Sequence, residues 1–140
     1  MSSPLLALED AVISNLASAS LGISVEPYPD RPADYSMIDP VGAALVVIPS
    51  SRYSPMINGV QTRTTRIVVT LLVRNLATHA GAYPLIDAVL ATLQGWTPDD
   101  WQPVAAISEQ FVTEDNGVWQ YDLVFETSRL QITQYNPCQM

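Results

Sequence analysis

Residues 109–127 read "EQFVTEDNGVWQYDLVFET", and the pair Asn116-Gly117 at the centre decides how the stretch folds. A two-residue hairpin turn needs positive φ at both positions, which asparagine and glycine tolerate best. Beyond the turn, Trp119, Tyr121, Leu123 and Phe125 alternate with Gln120, Asp122 and Glu126. Strict alternation marks a half-buried strand. The stretch therefore predicts two antiparallel strands, at about 107–114 and 118–127, closing a sheet.

The neighbouring segments fit the same sheet. Upstream, "GAYPLIDAVLATLQGW" (81–96) predicts a helix, with Pro84 in the first turn and Asp87 near the positive N-terminus. Leu85, Ile86, Val89, Leu90 and Leu93 form its apolar stripe, and Gly95 ends it. "RTTRIVVTLLVR" (63–74) predicts a long strand. Ile67, Val69, Leu71 and Val73 line one face, and Arg66, Val68, Thr70, Leu72 and Arg74 line the other. "PSSRYSPMINGVQT" (49–62) reads as a long loop or projecting hairpin, and "AALVVI" (43–48) as a strand covered on both faces. Residues 3–20 predict a helix capped by Ser3, with Leu5, Leu8, Val12, Leu16 and Ala19 on one face and Gly22 after it. The order is helix, strand, strand, helix, strand, strand. We read it as an α+β fold, a mostly antiparallel sheet of about four strands with both helices packed on it. A single domain should span 1–127, followed by a C-terminal tail or arm at 128–140.

Residues 24–40 carry four of the eleven prolines together with Glu26, Asp30, Asp34 and Asp39. Proline fixes its own φ and pushes the residue before it towards extended geometry. The segment therefore reads as neither helix nor pairing strand, but as a stiff acidic strap ahead of the first strand.

Composition bounds the function. Six arginines and no lysines face fourteen acids, for a net charge of −8. Phosphate neutralisation supplies most non-specific nucleic-acid affinity, so direct DNA binding is not expected. The charges are segregated: residues 41–86 hold Arg52, Arg63, Arg66 and Arg74 and no acid, while the remainder holds every acid against Arg31 and Arg129. Complementary patches on one molecule suit head-to-tail self-association; the plainer reading is that these arginines are solvated strand ends. No apolar run approaches the ~18 residues of a membrane span. The N-terminus lacks the basic region of a signal peptide. The one cysteine, Cys138, has no internal disulfide partner, which suits a reducing compartment.

Catalytic constellations are hard to assemble. His79, the only histidine, has no neighbouring carboxylate in sequence to orient it and reads as a loop or cap residue. One His and one Cys make no zinc site, and the acids at 26–39 lack the glycine-turned spacing of a calcium loop. Ser50, Ser51 and Ser54 stand in no nucleophile elbow. Asp99 and Asp100 beside Trp96 and Trp101 suggest either a small ligand-binding patch or a loop packed under two tryptophans. No enzyme activity, cofactor or metal is expected.

The ordered set "LEDAVISNL", "VEPYPDRPADYSMIDPVGAALVV", "QTRTTRIVVTLLVRNL", "GAYPLIDAVLATLQGW" and "EQFVTEDNGVWQYDLVFET" resembles the tail-terminator family of Mu-like contractile phages and related phage-tail-like particles. The resemblance covers roughly residues 5–127. It implies a structural subunit forming a homo-hexameric ring on the head-proximal end of the tail tube, assembled in the bacterial host cytoplasm. The ring would stop polymerisation and offer a joining surface to a neck or head-completion protein, with the sheath a further candidate partner. No catalytic residue transfers. Interface candidates are Tyr28, Asp30, Asp34 and Tyr35 on the strap, and Arg52, Tyr53, Arg63, Arg66 and Arg74 in the basic third. Arg52, Arg63 or Arg66 of one subunit is expected to meet a neighbour's acidic strap. The competing readings are another minor neck or connector component, a monomeric ligand-binding domain built on Trp96 and Trp101, and, more distantly, a hydrolase using the acids at 26–39.

Overall fold

Helix α1 (Pro4–Ser18) begins where the Ser3 hydroxyl accepts the Leu6 N–H at 3.3 Å and Pro4 occupies the first turn. Leu8, Val12 and Leu16, four apart, are its buried stripe. Ala19 is the C-cap and is exposed, so it is not part of the stripe. The computed structural model describes residues 3–30, 35–37, 40–74 and 79–132. Arg31, Asp34, Asp39 and Cys138 lie outside the described residues, as does the expected tail from 133 onward.

The sheet has five strands rather than about four. They are β1 (Ser24–Pro27), β2 (Gly42–Tyr53), β3 (Val60–Arg74), β4 (Ala105–Asp115) and β5 (Val118–Ile132), in spatial order β1-β2-β3-β5-β4. The additional strand is the start of the proline-rich segment, which does pair. Ser24–Pro27 runs parallel to Ala43–Val46, and the Tyr28 N–H continues the ladder to the Val46 carbonyl at 2.8 Å. Proline is tolerated there because β1 is an edge strand and Pro27 is its last residue.

All other pairings are antiparallel, and β3 pairs with β5 over its whole length, from Val60↔Ile132 to Arg74↔Val118. β5 thus continues beyond the end at 127 read from its alternation. The 49–62 segment is a hairpin: β2 and β3 continue through it to a two-residue turn at Asn58 (φ 54°) and Gly59 (φ 76°). Ile57 and Val60 exchange backbone hydrogen bonds across that turn at 2.9 and 3.0 Å. A register shift between Val47 and Ser50 brackets Pro49, which has no N–H to give the ladder.

Helix α2 (Tyr83–Leu93) follows a 3₁₀ turn at His79–Ala82 and buries Ile86, Val89 and Leu93. Because the helix begins at Tyr83, Asp87 falls past its first turn, not at the N-terminus. The Asn15 side-chain amide donates to the Thr92 carbonyl at 3.2 Å and ties α1 to α2. Both helices cover the same face of the sheet. Ala44, Val46, Ile67, Val69, Leu71, Val73, Leu123 and Phe125 share one core with Leu8, Val12, Leu16, Ile86, Val89 and Leu93.

On the helix-free face, Ala43, Leu45 and Thr70 are also buried. The Tyr35 hydroxyl donates to Glu26 at 2.9 Å, and the Arg74 guanidinium donates to the Met37 carbonyl at 2.8 Å. Strand parity puts Glu26 and Arg74 on this face, so the strap is anchored there.

Candidate assembly surface

The predicted interface residues fall into three separate groups. The first is at the strap. The Tyr28 backbone extends β1, Asp30 is exposed, and Tyr35 is half-buried with its hydroxyl on Glu26. Arg74 belongs to this group through Met37. Tyr35 and Arg74 hold the strap to its own sheet.

The second group spans three strands on the helix-free face. Antiparallel register sets Arg66 of β3 directly opposite Glu126 of β5, and Arg52 of β2 reaches the same carboxylate. Arg52 makes a two-pronged contact at 2.6 and 3.2 Å, and Arg66 lies 3.7 Å away. The arginine side chains are 66% and 46% exposed, and that of Glu126 only 13%. The hydrogen bond from Arg52 is the main reason the Glu126 carboxyl is held below its ordinary value of 4.5. Burial opposes that shift, and the positive charges of Arg52 and Arg66 add to it. Two cations on one anion leave a net positive group.

A pH dependence follows with a definite sign. Because the folded state lowers the Glu126 pKa, its contribution to stability is complete above the unfolded value near 4.5 and is lost as pH falls through the folded value. Chemical denaturation of Glu126→Gln across pH 3 to 6 should therefore show a shallower loss of stability on acidification than wild type. Identical slopes would mean the carboxylate is not paired in solution.

The third group is on the helix-bearing face. The Arg63 guanidinium lies 5.6 Å over the exposed Tyr53 ring, and Arg129 lies 5.4 Å over Trp101. The two arginines are directly opposite in the β3–β5 ladder. Neither forms an ion pair among the described residues, and the Nε of each is buried without a hydrogen-bond partner. Like charges placed opposite each other cost stability.

Trp101 is 5% exposed, and its loop is tied down by Gly95 N–H to Val104 O at 2.7 Å and Val104 N–H to Trp96 O at 2.8 Å. The tryptophans therefore pack the loop, and the ring of Trp101 is covered by Arg129. Among the described residues no three His, Cys, Asp or Glu side chains converge as a metal-holding group, and no helix is long and apolar enough to cross a membrane.

Sequence reading missed Glu126, Arg129 and the free edge of the sheet. β4 is exposed along its whole length, with Ile107, Phe111 and Val112 among its outward residues. Register shifts at Ala106/Ser108 and Phe111/Thr113 interrupt its pairing. Phe111 packs against Trp119 with the rings tilted at 5.9 Å and edge-on against Tyr121 at 5.6 Å, and burial is the main cause that raises the Tyr121 pKa.

The sequence profile of the Gp37 protein family matches residues 12–139. The chain belongs to that family. It is a phage-associated family, in line with the resemblance to phage tail and tail-like particle proteins. No curated protein matches this Gp37-family chain. Among solved structures 29 chains match. One is a chain of the virion of a native gene transfer agent particle, with a TM-score of 0.68 and 19% identity. The match covers 93% of this Gp37-family chain and 100% of the other. The two share an α+β fold.

Proposed function

We propose that the chain is a structural subunit of a phage-type tail: a tail terminator that closes as a homo-hexameric ring on the head-proximal end of the tail tube. There it stops polymerisation and presents a surface to a neck or head-completion protein and to the sheath. The observation that carries this reading is membership of the phage-associated Gp37 family together with a fold matching the whole of a gene transfer agent virion chain. The surface supports it. A ring subunit meets its neighbours through two different patches related by a closed rotation, and here the basic β2–β3 hairpin and the acidic β4 are separate patches, with β5 between β3 and β4. In this reading function lies in contacts, and the chain turns over no substrate.

Capping is tested directly by adding the protein to polymerising tail tubes and measuring tube length by negative-stain microscopy. A terminator shortens the tubes and leaves added density at one end only. Tubes of unchanged length, or protein decorating their sides, would remove the terminator role.

A further inference from the structure

Helix α2 and strand β4 enclose a cleft of about 460 Å³, with Tyr83, Phe111 and Tyr121 as its aromatic lining and Asp87 and Glu109 as its acids. We infer that this cleft receives the β2–β3 hairpin of a second copy of the chain, with Arg63 entering between Asp87 and Glu109. The inference rests on the ring reading and assigns its interface.

Charge selects this occupant. Residues 75–117, which include α2 and β4, contain six acids and no lysine or arginine. Residues 50–66, the hairpin, contain Arg52, Arg63 and Arg66 and no acid. Arg52 and Arg66 are engaged by Glu126 of their own chain, whereas Arg63 makes no ion pair among the described residues. Its guanidinium lies over Tyr53 of its own chain and Arg129 stands opposite it, so an incoming carboxylate would balance two positive charges that have no counter-ion among the described residues. A planar guanidinium is also what an aromatic lining with flanking carboxylates suits, through cation–π contact and two-pronged hydrogen bonding.

Apolar surface points the same way. The hairpin exposes Tyr53, Met56 and Ile57, the last 70% accessible, and the cleft exposes Tyr83 and Phe111, with Ile107 and Val112 also exposed along β4. Two β4 edges would not pair with each other, since each presents Glu109, Glu114 and Asp115. A basic hairpin meets no such repulsion. Because the β2–β3 hairpin and the β4 edge are different patches of the chain, with β5 between β3 and β4, the contact is head-to-tail.

Sedimentation velocity over a range of concentrations tests the contact on the full chain. Glu109→Arg, on an exposed edge, should fold normally by circular dichroism and weaken self-association by about tenfold or more. Arg63→Glu should do the same, and the double variant Arg63→Glu/Glu109→Arg should recover association to within about threefold of wild type. If Arg63→Glu fails to fold, Arg63→Gln replaces it, and Glu109→Arg alone decides. Wild-type association with no effect of Glu109→Arg, or a double variant as weak as the two losses combined, overturns this interface and leaves the ring reading standing. A wild type that stays monomeric at every concentration overturns both. If Arg63→Glu loses duplex-DNA retention while associating normally, the hairpin's occupant is nucleic acid and the proposal fails.

Discussion

Phe125→Ala should remove about 3–5 kcal/mol of stability, the usual cost of truncating a fully buried phenylalanine. Phe125 heads the largest side chains that are completely inaccessible to solvent, and it stands opposite Ile67 at the middle of the β3–β5 ladder. Phe125 belongs to the one core that residues of both helices share with the sheet, so the surroundings would collapse only partly into the cavity. Against a total of about 5–15 kcal/mol for a natural domain, the loss is a large fraction of the whole. Urea denaturation followed by circular dichroism should show a much lower midpoint with an unchanged slope. A loss below about 1 kcal/mol would mean that the helices do not sit on this face.

Gly42→Ala should destabilise by about 1–3 kcal/mol, at the upper end because the obstacle is backbone. A Cβ at this position would overlap the Leu72 carbonyl oxygen and touch Ile23 Cγ2 at 3.4 Å. A side chain can rotate away from such a clash, but a carbonyl fixed in the β2–β3 ladder cannot. Gly42 also begins β2, beside the start of the parallel β1 pairing, so relief would require β2 and β3 to separate where the strap enters β2. Each kcal/mol lowers Tm by about 2–4 °C in a domain near this size. An unchanged Tm would show that β2 and β3 are further apart at this point.

What the sequence revealed and what it hid have physical reasons. The two Asn-Gly turns, the alternation after Gly117 and the i, i+4 stripes of both helices are local signals, and each element they predict is present. β1 escaped notice because its four residues have no period of their own and end in proline; its strand character comes from the backbone of β2. β4 looked like the partner of a half-buried strand, yet it is exposed throughout, because it is the last strand of the sheet and a cleft separates it from α2.

The candidate surface was legible as chemistry but not as geometry. The segregation of arginine from acid is visible by counting. That Arg52 and Arg66 spend their charge on Glu126 depends on register between positions 74 and 60 residues apart, which no local pattern encodes. The same register distinguishes Arg63, opposite Arg129, as the hairpin arginine with no counter-ion among the described residues.

Native mass spectrometry of the purified chain at several concentrations tests the central claim, a subunit that closes into a ring through two unlike surfaces. Closed six-membered complexes that accumulate with concentration, without a ladder of longer open chains, are the predicted result. A strict monomer at every concentration, or an unbounded series of oligomers, would contradict it.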